Sequence, residues 1–192
     1  MKKINSFFHI SLDGFVAGPN GEMDWITVND EIFDHVEERI QQTDTAVYGR
    51  VTFQMMESYW PTAADKPNPS KHDLVHSKWY KNARKIVFST TMDAAGLKNT
   101  TIINKDLKNQ IQAIKNGPIG SDDLLVFGSP TATHALIKEG LIDGYWLFVN
   151  PIILGEGIPL FKENQDKTKL NLRSAHSFAC GVTALDFEVK KD

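Results

Sequence analysis

The chain has 192 residues, 41% of them hydrophobic and 23% charged, with a formal net charge of −3. That is enough chain for one globular domain with a sizeable core, expected to span residues 1–192 without a linker. No basic run exceeds two residues, as at Lys2-Lys3 and Lys190-Lys191, which argues against nucleic acid or an anionic membrane surface as a partner.

Cys180 is the only cysteine, so the chain forms no internal disulfide, in keeping with a reducing cytoplasm. Nothing in its local sequence would activate a thiolate, and it reads as structural. The apolar N-terminal stretch is broken by His9, Ser11 and Asp13. No signal peptide is therefore expected, and no apolar run reaches the length of a membrane span.

In chain order, Ile4 to Leu12 is rich in Phe and Ile and predicts a buried first strand. Asp13-Gly14 turns, Phe15 to Ala17 is extended, and Gly18-Pro19-Asn20-Gly21 forms a loop. Asn29 or Asp30 can cap a helix to about Gln42, with Ile32, Phe33, Val36 and Ile40 on one face and Asp30 and Glu31 in the first turn. Thr43 to Tyr48 reads as a strand and Val51 to Ser58 as a short helix. Pro61 to Ser70 carries three prolines and reads as a surface loop. His72–Lys81 is expected to be helical, Lys85–Ser89 a strand, Ile102-Ile103 a brief strand and Leu107–Lys115 an amphipathic helix. Leu124 to Phe127 is a short apolar run, followed by Gly128, an expected N-cap at Ser129 and Pro130 at the first helical position. Gly140 stops that helix, and Tyr145 to Val149 is the next strand. Phe161 to Leu172 is polar with weak pattern. Ser174–Phe178 and Val182–Val189 predict a closing hairpin that turns at Cys180-Gly181. The alternation predicts an α/β domain with a mostly parallel sheet and an antiparallel C-terminal edge.

Four turns fall at expected strand ends: Ser11–Gly18, Gly49–Thr52, Ser89–Thr91 and Gly128–Thr131. Open α/β sheets bind ligands along that edge. Gly49-Arg50-Val51-Thr52 combines a small residue, a guanidinium and a hydroxyl, a set that suits a phosphate; an exposed arginine after a strand is the plainer alternative. The helix start after Gly128 suits a phosphate through its free N–H groups and dipole, although an ordinary strand–helix connection has the same sequence. A full G-x-G-x-x-G fingerprint is missing.

Asp30, five residues after Trp25, is the leading carboxylate for proton transfer, with a helix-cap role as its alternative. Asp13 is second, with a turn role as its alternative. His72 and His76 share a helix face, but zinc needs a third ligand and no H-E-x-x-H motif is present. They are expected as surface histidines, and no metal site is expected. No G-x-S-x-G elbow is present.

Taken together, these segments resemble the dihydrofolate reductase-like superfamily, in the branch of the riboflavin-biosynthesis reductase domain. The carriers are SLDGFVAGPNGEMDWI at Ser11–Ile26, GRVTF at Gly49–Phe53, VFST at Val87–Thr90, VFGS at Val126–Ser129 and NPIILGEGIPLF at Asn150–Phe161. They span nearly the whole chain in the family's order.

The resemblance implies a three-layer α/β/α fold, NADPH as cofactor and a homodimer. Gly49, Arg50 and Thr52 would meet the cofactor phosphates, and Ser89 and Thr90 its adenosine end. Gly128, Ser129, Pro130, Thr131 and Ala132 would cradle the pyrophosphate, with Ala17 and Gly18 beside the nicotinamide. Asp30 would be the catalytic acid, and Asp13, Trp25 and Phe33 would line the substrate pocket. The family usually has Gly-Gly where this chain has Gly128-Ser129. The proline common near the acid of folate reductases is absent, and no deaminase zinc motif accompanies the domain. Three readings follow: an NADPH-dependent reductase of a pterin-, pyrimidine- or ribosylaminouracil-like molecule, a nucleotide-binding protein without catalysis, and a structural dimer that keeps the fold.

Overall fold

The computed structural model describes residues 1–117, 123–162 and 167–191. Eight strands form one sheet in the order β5-β4-β3-β6-β1-β7-β10-β9. They are β1 (Ile4–Ile10), β3 (Thr45–Gly49), β4 (Arg84–Phe88), β5 (Thr100–Ile103), β6 (Leu124–Phe127), β7 (Gly144–Val149), β9 (Leu170–Ser177) and β10 (Thr183–Val189). The run from β5 to β7 is parallel, and β10 and β9 close the edge antiparallel. The helices are α1 (Asp30–Ile40), α2 (Arg50–Tyr59), α3 (Lys71–Asn82), α4 (Leu107–Asn116) and α5 (Pro130–Lys138).

The central strands are apolar on both sides because both sheet faces are covered. Val47, Leu124, Val126, Ile111, Ala132 and Leu136 pack on one face, beneath α4 and α5. Ala46, Tyr48, Ile32, Val36, Phe53 and Tyr80 pack on the other, beneath α1, α2 and α3. This is the expected three-layer arrangement, reached because alternate residues of each strand face opposite layers.

Sequence and structure differ at several places in the fold. The last hairpin begins at Leu170, four residues before the expected Ser174, and every residue of β9 is exposed. The added residues, Leu170 to Arg173, are all exposed at the sheet edge and need no apolar face, so the pattern does not mark where the strand begins. Phe15–Ala17 forms β2, which pairs outside the main sheet with β8 (Ile158–Pro159), a strand that was not expected. His72 is half-buried and His76 buried between α1 and α3, so they are not the surface pair that the sequence suggested.

Candidate functional site

Adjacent parallel strands whose following helices leave to opposite faces open a crevice at their C-terminal ends. β3 and β6 are such neighbours, since α2 packs on one face and α5 on the other. Gly49 ends β3 and begins α2; Gly128 follows β6 and Ser129 begins α5.

Ser129 was expected to cap α5 with its own hydroxyl. Its Oγ instead accepts the Gly49 N–H at 3.0 Å, buried between the two helix starts. Neither α2 nor α5 has a side-chain cap, so both dipoles end at the crevice without one. A Cβ on Gly49 would lie 2.4 Å from Ser129 Oγ, which is why this strand ends in glycine. Gly128 has φ +51°, and a Cβ there would meet no atom within 4 Å: beside it lies open space rather than packing.

Arg50 is exposed at the first position of α2 and donates to Gln54 Oε1 at 3.1 Å; Thr52, two residues on, is buried. Pro130 occupies the first turn of α5, Thr131 is exposed and Ala132 is buried against the sheet. Ser89 sits at the end of β4, with Thr90 exposed beside it. The Ser89 Oγ accepts the N–H groups of Thr91 and Met92 at 3.2 and 3.0 Å, closing its own turn.

A second wall forms where β1 and β7 end. Asn150 is 1% exposed. Its Oδ1 accepts the Thr27 N–H at 2.9 Å and its Nδ2 donates to Phe148 O at 3.1 Å, tying the loop that carries Trp25 to the sheet. Replacing Asn150 with Ala should cost about 1–3 kcal/mol by stranding these groups. Denaturant unfolding would read that loss, and limited proteolysis of 18–28 should accelerate with it.

Asp13 accepts the Leu154 and Gly155 N–H groups at 3.2 and 2.8 Å. The Ser11 hydroxyl and then these amides hold its carboxyl below the usual range, despite some desolvation. Its carboxylate thus clamps the loop that leads to β8. Ala17 and Gly18 are buried beside this clamp. Gly157 passes so close that a Cβ on it would lie 2.3 Å from the Ala17 carbonyl oxygen.

Asn29 caps α1 by accepting the Ile32 N–H at 2.9 Å, and Asp30 is exposed in the first turn. Trp25 donates its indole N–H to Glu22 O at 3.1 Å. Phe33 stacks on His72 at 3.9 Å between ring centroids, turning toward α3. The structure therefore joins Gly49, Ser129 and Ala132 at one crevice and Asp13, Ala17 and Gly18 at a second wall.

His9 was not expected as a site residue. It lies near the end of β1, its ring 5.0 Å from that of Phe148, and its Nδ1 faces Asn150 Nδ2 at 3.5 Å. Burial pushes its pKa down to about 4, so the ring is neutral at neutral pH. In the sequence it only interrupts an apolar run, which carries no functional signal. A separate groove of about 550 Å³, lined by Thr43, Asp44, Leu74 and Trp79 among others, lies at the opposite end of β3 and is remote from these strand ends.

Parallel strands, uncapped helix starts and a switch point beside Gly128 define an open α/β domain with a crevice at its strand C-termini. The chain belongs to the RibD C-terminal domain family, whose profile matches residues 2–184. It is 32% identical over 179 residues to the uncharacterized protein YyaP of Bacillus subtilis (strain 168), covering 92% of this chain and 89% of that one. Among solved structures it is similar to a putative riboflavin biosynthesis protein from Shewanella sp. PV-4, with TM-score 0.72, 22% identity, and 98% and 99% of the two chains covered. It is also similar to a diaminohydroxyphosphoribosylaminopyrimidine deaminase/5-amino-6-(5-phosphoribosylamino)uracil reductase from Thermotoga maritima. There the TM-score is 0.66 at 19% identity, covering 98% of this chain and 57% of that one. These neighbours share the dihydrofolate reductase-like fold. Among the described residues, no helix is long and apolar enough to cross a membrane.

Proposed function

We propose that this protein is a cytoplasmic, NADPH-dependent reductase. Its substrate is a pterin-, pyrimidine- or ribosylaminouracil-like small molecule with a reducible C=N or C=O, and the uracil reductase step of riboflavin biosynthesis is one such reaction. The observation that carries the reading is the convergence of two uncapped helix starts, at Gly49 and Ser129, beside the open space at Gly128. Family membership supports the reaction class.

The residues present fit a dinucleotide. The N–H groups opening α2 and α5 would hold its phosphates, Thr52 and Thr131 flank them, and Arg50 would reach a further phosphate by charged hydrogen bonds. Ser89 and Thr90 would meet its adenosine end, and Ala17 and Gly18 would border the nicotinamide. When bound, NADPH supplies the hydride. The protein's share is to fix the reacting carbon in line, exclude water and place a proton. Asp30, exposed at the start of α1 and free of the capping duty that Asn29 performs, supplies that proton to the substrate nitrogen or oxygen, directly or through one water.

Titration with NADPH and NADH, read by thermal shift, tests the reading. A ligand at about a hundred times its Kd adds about 2.7 kcal/mol to stability, and no stabilisation by either nucleotide would overturn it. If Arg50 pairs with the 2′-phosphate, its charged hydrogen bond of roughly 1.5–3 kcal/mol favours NADPH by roughly tenfold to a hundredfold. Arg50→Ala should erase that preference, and an unchanged ratio of the two affinities would remove Arg50 from the site. A homodimer is part of the proposal: β9 offers a fully exposed edge for pairing, and light scattering should return twice the mass of the chain.

A further inference from the structure

Away from the crevice, between α1 and α3, three metal-ligand side chains converge. His72 and His76 stand one turn apart on α3 and face the same way. Glu37, on α1, presents Oε2 3.8 Å from Nδ1 of each imidazole. The three donor atoms all lie within 4.8 Å of one another. At 3.8 Å neither pair is a hydrogen bond. His76 is 6% exposed, and its Nδ1 and Glu37 Oε2 are both buried without a hydrogen-bond partner. Native proteins seldom leave two facing polar atoms so. An ion between them satisfies both at once.

We propose that Glu37, His72 and His76 bind a divalent transition-metal ion, with Zn²⁺ matching the donor set. Two imidazoles and a carboxylate are zinc ligands and leave a fourth position open. Imidazole donors disfavour Mg²⁺ and Ca²⁺, which prefer oxygen alone. Tetrahedral zinc with bonds of about 2.0–2.1 Å sets its ligand atoms about 3.3 Å apart, so small side-chain adjustments close the site. The surroundings orient the ligands. Gln41 donates its amide to Glu37 Oε1, which turns Oε2 toward the histidines. Phe33 stacks on His72, and the Trp60 ring lies 5.3 Å from that of His72 and 4.0 Å from that of His76. The ion ties α1 to α3, and it fixes the helix whose first turn carries Asp30.

The test uses the full chain stripped with a chelator. Zn²⁺ is titrated in competition with a chromogenic chelator, and Co²⁺ is followed by its visible absorption. We expect one equivalent of Zn²⁺, tetrahedral-type Co²⁺ bands that Zn²⁺ abolishes, and a higher melting temperature with Zn²⁺. Glu37→Gln and His72→Gln should each weaken Zn²⁺ binding by about a hundredfold or more, and Gln41→Ala by about tenfold, the scale of losses in an outer shell. Circular dichroism of the metal-free variants checks that each is folded. Absence of binding to the wild-type chain overturns the proposal. So does binding that survives in folded Glu37→Gln and His72→Gln, which would place the ion elsewhere, for example at the stacked His35 and His176. Neither outcome bears on the nucleotide crevice.

Discussion

Asp143→Asn is expected to destabilise the protein by about 3–5 kcal/mol, the cost of leaving a buried charge without its partner. Asp143 precedes β7, and its side chain is 8% exposed, facing a Lys115 side chain that is 6% exposed. Its Oδ2 accepts the Ile4 N–H at 2.8 Å and Lys115 Nζ at 2.5 Å, and Lys191 binds Oδ1. One carboxylate therefore joins the start of the central strand, the end of α4 and the residues after β10. Asparagine keeps the shape but removes the charge, leaving the buried Lys115 ammonium without a counter-ion. For a domain of this size the loss corresponds to a fall in Tm of roughly 6–20 °C. Lys191→Met should cost less than about 1 kcal/mol, because Lys191 is largely exposed and well solvated. Adding Lys115→Met to Asp143→Asn should recover much of the loss. A single Asp143→Asn variant that melts with the wild type would refute the account. Burial opposes ionisation of Asp143, but the hydrogen bonds from Lys115 and Lys191 outweigh it and hold its carboxyl below the usual range. Its contribution is therefore complete above the ordinary carboxylate pKa and is lost as pH falls through the lowered one.

His9 should make stability fall on mild acidification. Its folded pKa is about 4 against an ordinary 6.5. Between those values the unfolded chain takes up a proton that the native chain refuses, so stability rises with pH across the window and is flat above it. Between pH 7 and pH 4.5 the shift amounts to about 2–3 kcal/mol. His35 and His72 are also pushed down, chiefly by burial, and act in the same direction. The test is therefore a difference: urea unfolding of wild type and His9→Gln at several pH values. The wild type should lose about 2–3 kcal/mol more than the variant over this range. Parallel curves would show that His9 is protonated as readily in the folded chain as in the unfolded one.

Much of this fold was legible because the central strands are apolar runs punctuated by glycine and the helices keep one apolar face. Leu124–Phe127 followed by Gly128 needed no structure to be read as a strand and its turn. What escaped the sequence depends on neighbours far along the chain. Ser129 has every local mark of an N-cap, yet its hydroxyl serves the amide of Gly49 on another strand. Glu37 meets His72 and His76 only because α1 and α3 pack side by side. A third ligand on a different helix leaves no spacing to find. Asn150 was visible as part of a recurring segment, but its hold on Thr27 was not. Only the opening of β9, Leu170 to Arg173, escaped, because pairing with β10 rather than an apolar face defines it.

The position of β1 has a further consequence for synthesis. This first strand lies in the middle of the sheet, with Ile4 opposite Leu124 on one side and Asn5 opposite Gly144 on the other. A ribosome adding about 5–20 residues per second needs roughly 6–24 s to supply the first of those partners and roughly 7–28 s to supply the second. Throughout that interval a segment rich in phenylalanine and isoleucine has emerged with both edges unpaired. The strands β3, β4 and β5 emerge earlier and can pair among themselves, but the sheet closes around β1 only when β6 and β7 arrive.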